Sequence, residues 1–421
     1  MKNFNLYLIF KLFLFVAPLL PSLCEAQAGN WTWVSGSNSP GAAAVYGPKG
    51  LNPTMIKLGN RHGGSMWTDA SGKLWFFGGA DYWGNLYNDL WMYNPANAQW
   101  SWITGDSTRF SPVYNSQGTA GIPGARYAQS FWTDAGGNFW IFGGYGVDGT
   151  GQLGLLNDVW EFNFAKQEWA FITGSQQANN GGVYGTQGQP DTGNMPGGRV
   201  SAGAWMDKAN NIWVFGGGGT SEIAYFYEMD DPSELETVND LWEYNSTNKT
   251  WTWVSGANFQ NQGGTYGTMG VPDTANTPGA RTGMSGGVDP SGNIWIFGGL
   301  GVDGYTGGFR LNGEGLLNDL WQYTPATKSW TWVSGSYQFG ANGVYSSQGT
   351  PTLTGVPGAR TGQVSWIDNA GNFWVFGGDD GNYDTAPDGY PTLNDLWKYD
   401  PVSKEWAWMK GSNTEGQPGL Y

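Results

Sequence analysis

The chain of 421 residues is expected to be all-β, built from propeller blades, and three recurring features predict this. A short aromatic run closes on a Gly-Gly pair five times, ending at Gly79, Gly144, Gly217, Gly299 and Gly378. An Asn-Asp-Leu-Trp or Asn-Asp-Val-Trp motif follows each pair, with its aspartate at Asp89, Asp158, Asp240, Asp319 or Asp395. Each unit then ends on an aromatic pair: Trp100 and Trp102, Trp169 and Phe171, Trp251 and Trp253, Trp330 and Trp332, Trp406 and Trp408. Long-period self-similarity marks a repeat architecture, and four strand-like runs per repeat mark propeller blades.

The fourth unit shows the pattern most plainly. Strand a begins at Arg281, strand b spans Asn293–Gly299, strand c spans Asn318–Thr324 and strand d spans Ser329–Gly335. Each run alternates apolar and polar residues and stops at a turn signal, DPSG between a and b and TPATKS between c and d. The predicted blades cover residues 61–105, 126–174, 199–256, 281–335 and 360–411. Trp31–Gly36 reads as a strand d with no a, b or c before it. An orphan of that kind completes a blade at a ring closure and leaves no open strand edge.

A tyrosine stands nine or ten residues past each strand-d glycine, at Tyr46, Tyr114, Tyr184, Tyr266 and Tyr345, and Tyr421 stands in the same place after Gly411. The sequence thus ends inside an inter-blade linker. The expectation is five complete blades plus the orphan strand, an incomplete ring of six or more, with a five-bladed ring carrying an added outer strand as the alternative.

The Gly-Gly pair, the aromatic strand c and the strand-d Trp resemble the kelch-repeat family of β-propellers, over residues 31–411. The repeats exceed the usual kelch length of about 50 residues, and they are similar to the secreted members, the central domain of galactose oxidase among them. That resemblance implies a copper site of two His and two Tyr, one Tyr cross-linked to Cys. Here the single His is His62 and the single Cys is Cys24, so the site cannot be assembled. Zinc sites, Cys nucleophiles and Ser-His-Asp triads fail on the same shortage.

Residues 1–28 carry Lys2 and Lys11 around an apolar run from Leu6 to Leu20, followed by Ala26-Gln27-Ala28, which is the pattern of a secretory signal peptide. The run is shorter than the ~20 residues a spanning helix needs. Cys24 would suit a lipid anchor, but Pro21-Ser22-Leu23 before it departs from the small residues expected there. The propeller then occupies 29–421 without disulfides, in a secreted, periplasmic or cell-surface protein. Asn30, Asn245 and Asn248 begin glycosylation sequons, relevant in a eukaryote. The net charge of −15 argues against nucleic acid and anionic membranes as partners.

Alternating strand directions put the b–c loops and d–a linkers at one end of every blade and the short a–b and c–d turns at the other. The long connections, Gly218–Val238, Leu300–Leu317 and Asp379–Leu393, all fall at the first end, where recognition is expected. Arg61, Arg126, Arg199, Arg281 and Arg360 open the five a strands. They read either as a cationic ring for carboxylates or as braces, each paired with a neighbouring Asp. The Asn-Asp pairs read as loop caps. Tyr114, Tyr184, Tyr266 and Tyr345 suit either stacking on sugar rings or latching a linker to the next blade. Tyr225 and Tyr227 belong to an acidic, aromatic b–c loop that no other blade has. Asp379–Tyr390 crowds carboxylates without the spacing of a calcium loop. GVDG at 146–149 and 301–304 reads as a turn.

The expected protein is therefore a non-catalytic propeller without metal or cofactor, binding a glycan or protein through its long-loop end. The alternative is a sugar-active enzyme, a mutarotase or a carboxylate-dependent glycosidase, working in the central channel.

Overall fold

The computed structural model describes residues 34–37, 41–51, 56–107, 111–219, 236–304, 314–381 and 392–417. The fold is all-β, in the five-bladed β-propeller class, with no helix among the described residues. Blade 1 comprises β1 (Ser65–Thr68), β2 (Leu74–Phe77), β3 (Leu90–Asn94) and β4 (Gln99–Thr104), paired in that order. Blade 2 holds β5 (Ala120–Gly121), β6 (Arg126–Tyr127), β7 (Ser130–Thr133), β8 (Phe139–Val147), β9 (Leu153–Asn163) and β10 (Glu168–Thr173). Blade 3 is β11 (Gly203–Met206), β12 (Ile212–Phe215), β13 (Leu241–Asn245) and β14 (Thr250–Ser255). Blade 4 is β15 (Arg281–Thr282), β16 (Ser285–Val288), β17 (Ile294–Val302), β18 (Glu314–Thr324) and β19 (Ser329–Ser334). Blade 5 is β20 (Val364–Ile367), β21 (Phe373–Asp379), β22 (Thr392–Asp400) and β23 (Glu405–Lys410).

The chain divides into two compact units, one containing blades 1 and 2 and the other, Asn179–Gln417, containing blades 3 to 5. Within each unit the core lies between the faces of successive sheets. Trp67, Trp75 and Phe77 of blade 1 pack against Phe139, Phe162 and Trp169 of blade 2. Trp213 and Phe215 of blade 3 meet Ile294, Tyr323 and Trp330 of blade 4, whose Trp295 and Phe297 meet Phe373, Tyr399 and Trp406 of blade 5. Each buried Trp or Phe removes roughly 150–250 Å² of surface from water, so stability without disulfides rests on these aromatic layers. An Asp in every a–b turn fixes the layer by accepting a hydrogen bond from a strand-b indole: Asp69 from Trp75, Asp134 from Trp140, Asp207 from Trp213, Asp289 from Trp295 and Asp368 from Trp374, all at 2.9–3.0 Å.

Three boundaries differ from the sequence expectation. Strands b and c run on past the Gly-Gly pair in blades 2, 4 and 5, so much of what reads as loop is two-stranded ribbon; Leu300 pairs with Leu316 and Tyr145 with Leu155. Strand a proper starts after the arginine, which lies in a separate two-residue strand in blades 2 and 4, β6 and β15, and directly precedes a single bridge residue, His62, Val200 or Thr361, in the other three. The described part of the orphan segment, 34–36, is not strand, and Trp31 to Trp33 lie outside the described residues. Ser35 nevertheless accepts a hydrogen bond from Trp100 Nε1 at 3.1 Å. Ser255 takes the same bond from Trp330 and Ser334 from Trp406, each donated by the strand d of one blade to that of the blade before it. Ser35 thus stands where the strand-d serine of a blade before blade 1 would stand.

Each d–a linker folds into a narrow hairpin, with bridges such as Val113 to Ile122, Val183 to Met195 and Val344 to Val356. The hairpin docks along strand d of the blade that follows it: Gly118 N donates to Phe171 O, Gly188 N to Trp253 O and Gly349 N to Trp408 O, at 2.7–2.8 Å. The outermost strand is therefore covered rather than left as an open edge.

Candidate functional site

Every blade contains the same buried constellation of Tyr, Arg, Asp and Trp. In blade 4, Arg281 forms a two-pronged ion pair with Asp319, Nη1 to Oδ1 at 2.6 Å and Nη2 to Oδ2 at 2.7 Å. Arg61 pairs likewise with Asp89, Arg126 with Asp158, Arg199 with Asp240 and Arg360 with Asp395. The remaining Nη1 valence reaches the carbonyl of the first glycine of the pair, Gly298 O at 3.2 Å in blade 4. That glycine lies in the left-handed region, φ +62° at Gly298, which turns its carbonyl toward the guanidinium. Tyr266 donates to Asp319 Oδ2 at 2.5 Å and Trp321 Nε1 to the same oxygen at 2.6 Å. Tyr46, Tyr114, Tyr184 and Tyr345 do the same in their blades.

The arginines are buried, from 0 % exposed at Arg126, Arg281 and Arg360 to 3 % at Arg61 and Arg199. Their positive charge is spent inside the blade, so of the two sequence readings the geometry has the brace. One detail departs from it: the side chain pairs within its own blade, and the arginine's backbone joins neighbouring blades. Gly79 N donates to Arg126 O, Gly217 N to Arg281 O and Gly299 N to Arg360 O, each at 2.9 Å. The Asn-Asp pair also splits into two roles. The Asp is the arginine's partner instead of a loop cap. The Asn links outward, its Nδ2 donating to Pro123 O from Asn88, to Pro278 O from Asn239 and to Pro357 O from Asn318, at 3.0–3.1 Å.

Opposed forces act on the aspartates. Burial pushes Asp158, Asp240 and Asp395 up, but the paired guanidinium and the hydrogen bonds from Tyr and Trp outweigh it and hold them below the ordinary carboxylate range. Burial and then the neighbouring aspartate raise the phenols of Tyr114, Tyr184, Tyr266 and Tyr345 well above theirs. The tyrosine rings pack edge-on against strand-d aromatics, Tyr266 on Trp332 and Tyr345 on Trp408 at 5.1 Å, so these side chains latch each linker to its blade. Tyr225 and Tyr227 lie outside the described residues, as does the acidic stretch beyond Gly381.

The b–c ribbons and the linkers share one end of the blade. Gly149 N donates to Gln176 O in blade 2 and Gly304 N to Tyr337 O in blade 4. At this end of blade 2 lies an open depression of about 610 Å³ lined by Pro112, Val113, Tyr114, Gly149, Thr150 and Ser175–Gln177. Its walls are pinned: Asp148 accepts from Thr150 N at 2.8 Å and from Ala178 N at 3.0 Å. Thr150, Gln176 and Gln177 are exposed beside the ring of Tyr114 and the half-exposed Val113. Amides and a hydroxyl around a partly apolar floor suit a neutral, hydroxyl-rich ligand.

The same end of blade 1 carries Tyr82 and Trp83, 69 % and 77 % exposed. Neither stands out when the chain is read for repeats. Aligning the b–c turns would have found them, since Asp81-Tyr82-Trp83-Gly84 occupies the frame of Asp148-Gly149-Thr150-Gly151. In the second unit Phe259 and Tyr337 are exposed at linker starts, 59 % and 46 %. Carboxylates raised by burial, Glu161 and Glu243, feel Asp134 and Asp207 of the a–b turns next, which places them toward the short-turn end of their blades.

No protein-family model matches the chain, and no curated protein matches it either.

Proposed function

We propose that this chain is an exported, kelch-type propeller that binds a glycan or protein without catalysis, through the blade ends carrying the b–c ribbons and d–a linkers. The observation that carries the reading is a contrast between the blade interior and that end. In the interior the five strand-a arginines and their aspartates are consumed by the Tyr–Arg–Asp–Trp constellation. At the loop end stand a pinned polar depression and exposed aromatic side chains. Long connections on a rigid scaffold are where recognition resides, and the buried charges support a load of folding rather than of chemistry.

The test is a glycan array and a pull-down with the full chain, followed by the variant Thr150→Arg, which sets a long charged side chain in the blade-2 depression. Saturable binding that Thr150→Arg weakens by about tenfold supports the reading. Conversion of a sugar anomer or cleavage of a glycosidic bond by the purified chain, followed by NMR, would replace it with the enzymatic alternative.

A further inference from the structure

Blades 1 and 2 build the same tight b–c turn and fill it differently. In both, an aspartate opens the turn and its Oδ1 accepts two backbone amides: Asp81 from Trp83 N and Asn85 N, Asp148 from Thr150 N and Gln152 N, at 2.8–3.0 Å. A left-handed glycine follows in each, Gly84 with φ +77° and Gly151 with φ +85°. Blade 2 puts Gly149 and Thr150 between them, which is all the turn requires. Blade 1 puts Tyr82 and Trp83 there, held edge to face with ring centroids 5.1 Å apart.

Those rings gain little from folding, because they remain exposed, and the turn does not need them. The turn itself is fastened to the blade interior. Asp81 Oδ2 accepts from Asn85 Nδ2 and from Tyr87 OH at 2.9 and 2.8 Å, and the Tyr87 ring lies 4.0 Å from the Arg61 guanidinium. The aromatic pair is therefore presented on a fixed base, and binding to it would cost little ordering of the turn.

We infer that Tyr82 and Trp83 form a stacking platform for the apolar face of an uncharged sugar ring. This rests on the loop-end binding role proposed above and names its ligand class. Two aromatic side chains offer roughly 150–250 Å² each, well short of the ~800 Å² per partner of a stable protein interface, but close to what one or two sugar rings cover. Such rings place C–H bonds on the aromatic face and direct hydroxyls to polar neighbours, here Asn85 and the exposed backbone of the turn. The net charge of −15 and the carboxylate of Asp81 under the turn select against acidic sugars.

The experiment uses the full chain, the double variant Tyr82→Gly with Trp83→Thr, and the single variant Trp83→Ala. The double variant copies the blade-2 turn and is expected to fold with unchanged Tm. Cello-, manno-, xylo- and malto-hexaose are titrated against each protein, with tryptophan fluorescence and calorimetry as readouts and an oligogalacturonide as the acidic comparison. The expected result is binding of at least one neutral hexaose, a blue-shifted fluorescence change absent in Trp83→Ala, and at least about a tenfold affinity loss in both variants. A hexaose bound equally by wild type and double variant overturns the platform and leaves the loop-end reading standing. No hexaose bound by wild type, with a protein captured instead, overturns the sugar assignment at both sites.

Discussion

The Tyr–Arg–Asp–Trp constellation shows how one buried charge is made tolerable. A lone buried carboxylate is costly, and pairing returns that cost only when its lone pairs are also used. Asp319 uses them on two guanidinium nitrogens, a phenol and an indole. Removing one member leaves the others unsatisfied. Asp319→Leu and Arg281→Met should each lower stability by about 3–5 kcal/mol, and the double variant should lose clearly less than the sum. Urea denaturation of the four proteins reads this, and simple additivity would show that the pair is not coupled. A second residue-scale prediction concerns a missing partner. Trp169 Nε1 is buried without a hydrogen-bond acceptor, whereas Trp100, Trp330 and Trp406 each find a serine hydroxyl. In the blade before Trp169 the corresponding residue is Thr104. Threonine has the same hydroxyl, but its γ-methyl limits the χ1 angles that aim it. Thr104→Ser lifts that limit and should let the hydroxyl accept from Trp169, raising stability by about 0.5–1.5 kcal/mol, measured by thermal unfolding.

The Gly-Gly pair governs the blade as an element. Its first glycine turns a carbonyl toward the arginine, and its second, Gly299, has φ +101°, a conformation that L side chains rarely adopt. A Cβ there would also lie 2.7 Å from Thr282 O. Gly72, in an a–b turn, has positive φ as well but open space around it. Gly299→Ala should therefore cost well over the ~1 kcal/mol expected of Gly72→Ala, and guanidinium unfolding of the two variants compares them. The strands themselves were legible, because aromatic alternation between turn residues carries its own period, and the five Gly-Gly and Asn-Asp motifs fixed the repeat. The extensions of β8, β9, β17 and β18 were not legible. Their sequences, GYGV and LGLL among them, are glycine-rich and carry no alternation, and only pairing across the ribbon makes them strand. The site was legible in part. The end of the blade that carries the long connections follows from strand parity, but which residues there are exposed does not. Tyr82 and Trp83 resemble the buried aromatics in type, and burial is decided by packing that no single-residue pattern encodes.

Five copies of one constellation make the pH response a property of the whole molecule. Asp158, Asp240 and Asp395 are held below their unfolded-state values, so their contribution is present above about pH 4 and is lost as pH falls through the folded values. The latch tyrosines are raised, so their contribution is complete below about pH 10 and is lost as pH rises from there toward the folded values. Tyr87, which ties the blade-1 turn to its base, is pushed up to about 12 by burial and by its bond to Asp81, and it weakens in the same direction. Net charge acts oppositely on the acid side. Neutralising part of the −15 relieves self-repulsion as the pH drops from 7. That relief is diffuse and screened by salt, whereas the ion pairs are buried and are not. The expected Tm profile is therefore level, or gently rising toward acid at low salt, between about pH 5 and 9, with a steep fall below about 4 that added salt does not remove and a second fall above about 10. Calorimetric scans at low and high salt measure it. An acid limb that salt abolishes would mean that surface repulsion, and not the buried pairs, sets the stability of these blades.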